Sequence, residues 1–147
     1  MGTKLKQYIL LRSFGEFIIR DIQTSDDPDG WEYSKFIMGY SLGITQALEL
    51  DKSEASNIKK EAEDLTVRAA EECERVNYVH RYNKAVEYLK NRLSKCETLK
   101  IVLRAASADE IINLYHIAWT IPDTCDFYDA YDDLENKYTG GHNESNS

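Results

Sequence analysis

Between Ile58 and Val76 the apolar residues Ile58, Ala62, Leu65, Ala69, Cys73 and Val76 fall three or four positions apart. At about 100° per residue they cluster within roughly 80° of one direction, one face of an amphipathic helix. Val79, Tyr82, Val86, Leu89 and Leu93 keep the helical step, but this second set lies roughly 60–140° round from the first. Heptad drift rotates a face by only about 20° per heptad. Here the change is abrupt, at Asn77–Tyr78. The stretch opens on "DKSE" at Asp51, a capping-box-like start, and runs to about residue 95. Unbroken it would be about 65 Å long, too long for a compact domain of this size, so the pattern predicts a kink near Asn77.

The flanking segments carry shorter patterns. Leu11, Phe14, Ile18 and Ile22 step as a helix face. The runs "YILL" and "FIIRDI" around "SFGE" also fit a β-hairpin over residues 5–22, with helix the favoured reading. "TSDDPDG" breaks the chain with Pro28 and Gly30. A second helix is expected from Trp31 to about Leu50, with Trp31, Ile37, Tyr40, Ile44 and Leu48 on one side. Gly39 and Gly43, four apart, would let another helix or a ligand approach closely, with helix packing the favoured reading. "SADEIINLYHIAW" has an N-cap at Ser107 and Glu110 three residues on, and ends before Pro122. From Asp123, Phe127, Tyr131, Leu134 and Tyr138 form one apolar stripe. The expected architecture is all-α: a single helical domain over 1–138, about five helices, and a flexible tail at 139–147.

Composition narrows the class. Seven glycines and two prolines in 147 residues favour helices over a turn-rich β fold. No apolar run approaches the roughly 18–20 residues of a membrane span, and the N-terminus resembles neither a signal peptide nor a myristoylation site. Cys73, Cys96 and Cys125 are odd in number and lack C-x-x-C spacing, as reduced thiols in a cytoplasmic protein would be. The net charge of −8 is uneven. Residues 1–24 carry +2 and residues 123–147 carry −6. Such a balance opposes broad nucleic-acid binding.

One short stretch carries catalytic residue types. "ERVNYVHRYN", residues 74–83, places Arg75, His80 and Tyr82 at R-x4-H-x-Y spacing. It resembles the motif of the HEPN family, small all-helical bundles that often dimerise and cleave RNA without metal. The resemblance implies that Arg75 stabilises the phosphorane charge and His80 serves as acid–base, with Tyr82 a mark of the toxin branch. It covers eight residues. Val76 stands where the family usually has a polar residue directly after the arginine, and Asn77 comes one place late. On a continuous helix Arg75 and His80 would point about 140° apart; a break at Asn77 would let them converge. The competing reading pairs Arg75 with Glu71 and sets His80 beside the core.

Glu61, Asp64, Glu71 and Glu74 have spacings loosely similar to the metal-binding helices of all-α nucleotide pyrophosphohydrolases. Lys60, Arg68 and Arg75 sit four residues from Asp64 or Glu71, so surface salt bridges explain them more simply. No zinc spacing, phosphate loop or nucleophile elbow appears, and neither a metal nor a cofactor is expected. His116 and His142 carry no motif; His116 is read as a half-buried helix residue.

The acidic C-terminal helix is the other signal. Five aspartates in 11 residues repel one another, a cost that makes sense opposite a basic surface. Asp126, Tyr128, Asp129, Asp132, Asp133 and Glu135 are the candidate contact residues, facing a cationic protein groove or mimicking nucleic-acid phosphates. In charge and size the chain resembles small acidic helical inhibitors, immunity proteins and phage anti-defence proteins. The first expectation is therefore an inhibitory or interaction module with a basic protein partner. The alternative is a HEPN-like ribonuclease, which would imply a homodimer.

Overall fold

In the computed structural model, which describes residues 2–121 and 124–140, the N-terminal segment forms a single helix, α1 (Gly2–Thr24), and not a hairpin. Five more follow: α2 (Gly30–Ala47), α3 (Lys52–Arg92), α4 (Leu99–Ala105), α5 (Ala108–Thr120) and α6 (Thr124–Tyr138). The described residues contain no strand, so the all-α expectation holds with six helices in place of five. The one not foreseen is the seven-residue α4, too short to display a period of its own. No helix among the described residues is long and apolar enough to cross a membrane. Pro122, Asp123 and residues 141–147 of the tail expected at 139–147 lie outside the described residues.

Two compact units divide the chain, Met1–Tyr78 and Val79–Ser147, and α3 contributes to both. The boundary falls where the apolar pattern shifts. The helix itself runs through Asn77 without interruption. The shift in face therefore accompanies a change of hydrophobic cluster, where the sequence predicts a break. Asn77 has a structural task of its own. Its Nδ2 donates to the Pro28 carbonyl at 3.0 Å, tying the first interhelical loop to α3.

In the first unit, α1 supplies Leu11, Ile18 and Ile22 to a core with Ile37 and Ile44 of α2 and Ile58 through Val76 of α3. The α1–α2 register is fixed twice. Phe14 stacks on Tyr40 with ring centroids 4.0 Å apart, and the Tyr33 hydroxyl donates to Asp21 at 2.7 Å. Burial, then the Asp21 carboxylate, pushes the Tyr33 pKa up to about 12, which keeps it a donor. At Gly15 α1 passes close to α3: a Cβ there would lie 2.6 Å from a Leu65 methyl carbon. Asp29 caps α2 by accepting from the Trp31 and Glu32 amides. Glu49, at φ 47°, takes the left-handed conformation just past its end. Two expectations for α2 are corrected. Trp31 is 70% exposed, with Lys35 Nζ 5.2 Å from its ring, instead of joining the core face. Gly39 and Gly43 face open space, with nothing within 4 Å of a Cβ at either position.

In the second unit, Ala85 and Leu89 of α3 pack with Leu99, Val102, Ile111, Leu114, Phe127 and Tyr131. Val79, expected among the apolar face, is exposed, and Ala85 takes the buried place. Ser107 and Glu110 form the complete capping box at the start of α5.

Candidate functional site

Helix α6 is docked by Phe127 and Tyr131, both buried, with Leu134 and Tyr138 half-buried beside them. This apolar spacing of four, three and four residues leaves much of the rest of the helix to solvent. Asp126, Asp129, Asp132 and Asp133 are exposed, as is Tyr128. Asp126, Asp129 and Asp133 follow one another at three and four residues, so they form a continuous ridge. Asp132 stands one turn from Tyr128 on the adjoining strip.

Tyr128 is held in place from below. The Arg92 guanidinium, at the C-terminal end of α3, lies 4.3 Å from the Phe127 ring, 5.1 Å from Tyr128 and 5.8 Å from Tyr88. It donates to the Tyr88 hydroxyl, and hydrogen bonds to Tyr128 and then Tyr88 raise its already high pKa. A cation among three rings restrains the exposed Tyr128 side chain. The sequence reading missed Arg92. Tyr88 and Arg92 at i and i+4 were the visible part of the signal; the α6 rings were not.

Glu135, sixth of the candidate contact residues, points elsewhere. It accepts from the Thr98 hydroxyl and lies 3.7 Å from the Cys96 thiol. Cys96 is also 3.2 Å from the Tyr131 hydroxyl, and Thr98 is 3.3 Å from it. Burial, reinforced by the thiol, raises the Tyr131 pKa, so its hydroxyl stays protonated. This half-buried cluster joins α6 to the α3–α4 turn. The cluster of a thiol, a carboxylate and two hydroxyls serves as a latch. Glu110 adds another tie, accepting from Tyr138 and from Lys137 at 3.0 Å. Those bonds and the Ser107 amide draw its pKa down to about 2.

The other candidates have these surroundings. Arg75 binds Glu72, not Glu71, through Nη2 at 2.6 Å and Nε at 3.1 Å, and Gln23 donates to the same carboxylate. His80 and Tyr82 are half-buried on α3. Glu61 and Asp64 line a groove of about 460 Å³ in the first unit, over Gly15 and Leu65, with Arg12, Arg20 and Arg68. Among the described residues Lys60, Asp64 and Arg68 join no ion pair, contrary to the salt-bridge expectation. No three His, Cys, Asp or Glu side chains there are grouped to hold a metal. His116 is exposed, not half-buried, and lines a second groove of about 410 Å³ with Arg81, Asp109, Asn113 and Trp119. His142 lies outside the described residues. The chain matches no protein-family model, no curated protein and no solved structure.

Proposed function

We propose that the chain is a protein-interaction module, of the inhibitory kind, whose α6 ridge engages a basic surface on another protein. The observation that carries this reading is the pairing of four exposed aspartates with an exposed tyrosine fixed by Arg92 on a helix docked through buried aromatics. Like charges at three- and four-residue spacing weaken an isolated helix. They persist at low cost here because packing and the Glu135 latch hold α6 in place. Opposite a cationic partner the same charges steer association and fix register, while Tyr128 supplies contact area at little entropic cost.

Isothermal titration against the captured partner tests the reading. Substituting Asp126→Lys, Asp129→Lys and Asp133→Lys together is expected to abolish binding, and substituting His80→Ala to leave it unchanged. Unaltered binding by the triple variant would refute the assignment to α6. RNA cleavage that depends on Arg75 and His80 would replace it with the ribonuclease reading.

A further inference from the structure

The outer side of the α1–α2 pair carries large apolar side chains that nothing in the first unit covers. Leu10, Phe17 and Phe36 are 43%, 64% and 52% exposed. Helical geometry gathers them. At about 100° per residue, Leu10 and Phe17 project within roughly 20° of each other, on the solvent side of Phe14 and away from the Gly15 edge that meets α3. By the same measure Phe36 and Gly43 project within roughly 20°, with Gly39 about 40° further round. Since Phe14 and Tyr40 mark the line where the helices meet, these residues flank one shared outer groove. A contiguous apolar patch of this kind marks an interaction surface.

The register identifies the occupant. The Asp21–Tyr33 and Phe14–Tyr40 contacts agree on one antiparallel alignment. It sets Leu10 level with Ile44, next to Gly43, and Phe17 level with Ile37, next to Phe36. Leu10 of α1 thus stands opposite Gly43 of α2 in height, and Phe17 of α1 opposite Phe36 of α2. Opposite charges also stand on the two helices. Arg20 on α1 and Glu32 on α2 are exposed, belong to no ion pair among the described residues, and stand within about 3 Å of the same height.

We propose that this face pairs with the same face of a second copy of the chain, about a two-fold axis parallel to the helices. Rotation about that axis preserves height and lays α1 over the second copy's α2. Leu10 then fills the space above the second copy's Gly43, Phe17 packs against the second copy's Phe36, and Arg20 meets the second copy's Glu32, twice over. The surface is complementary to itself in shape and in charge, which is the requirement of an isologous dimer. The four helices form an antiparallel bundle packed at the close spacing that glycine permits.

Sedimentation equilibrium on the full chain, from low micromolar to several hundred micromolar, tests the proposal. A mass of twice 17.0 kDa is expected at the upper end. A monomer throughout, or a larger species, overturns it. A Cβ at Gly43 meets no atom within 4 Å in the single chain, and Gly43→Leu removes a mid-helix glycine, so its helical circular dichroism should be retained. Its dimer should weaken at least a hundredfold; a dimer as tight as the unsubstituted one overturns the assignment of the surface. Arg20→Glu and Glu32→Arg change only exposed side chains and should each dimerise about tenfold more weakly. Mixed in equal amounts, they should form the heterodimer in preference to either homodimer, because both cross-pairs are then opposite in sign. No preference for the mixed species overturns the axis.

Discussion

The Arg92 guanidinium stands 5.1 Å from the ring of Tyr128, reaching from the end of α3 to the exposed tyrosine of the acidic helix. The same cation lies over Phe127, the most deeply buried residue of α6. One side chain therefore links the packing of α6 to the order of its contact surface. Substituting Arg92→Ala should lower stability by about 1–2 kcal/mol through lost cation–π contact and side-chain packing. Thermal unfolding measures that loss, and NMR relaxation should show the Tyr128 ring gaining motion. Ring motion matching the unsubstituted protein would remove Arg92 from the account.

Acidic residues of α6 should divide into two kinds. Reversing Asp126, Asp129 and Asp133 to Lys trades a small dipole penalty for relief of repulsion, leaving stability within about 0.5 kcal/mol. Glu135→Ala removes the acceptor from the Thr98–Cys96–Tyr131 cluster and should cost about 1–3 kcal/mol. Chemical denaturation of the two variants side by side tests the division. Equal effects would contradict it.

Gln7 is fully buried, and neither its amide nitrogen nor its carbonyl oxygen has a partner among the described residues. Replacing it with Met keeps the volume and removes both unsatisfied groups, so Gln7→Met should stabilise the protein by about 1–2 kcal/mol. A fall in melting temperature would show that Gln7 finds partners in solution.

Glu110 links pH to stability. Its carboxyl is held at about 2, first by the Tyr138 hydroxyl and then by the Ser107 amide and Lys137. A depressed carboxylate contributes stability above its unfolded value of 4.5, and that contribution fades as pH falls toward the folded value. Glu110→Gln should therefore melt lower than the unsubstituted protein at neutral pH, with the gap narrowing below about pH 4.5 and closing only near pH 2. A gap independent of pH would assign the effect to helix capping alone.

Most of the secondary structure was legible because it is local. The helical period placed α1, α2, α3, α5 and α6, and Asp51 and Ser107 marked two starts that the backbone uses, with the Glu54 amide 2.8 Å from Asp51. Features of tertiary origin were not legible. The shift of face at Asn77 looks the same in sequence whether a helix bends or changes partner core. Trp31 is apolar enough for a core position and sits on the surface all the same. Arg92 reaches α6 rings 35 and 36 positions away in sequence, and Glu135 was indistinguishable from its exposed acidic neighbours until Thr98 was placed beside it.

The central claim is that α6 presents its aspartates and Tyr128 to a basic protein. Affinity capture from the native host, with nuclease treatment, should compare the unsubstituted chain with the Asp126→Lys, Asp129→Lys, Asp133→Lys variant. The account predicts one basic protein held stoichiometrically by the first, released above about half-molar salt and absent from the second. The same protein retained equally by both chains would contradict it.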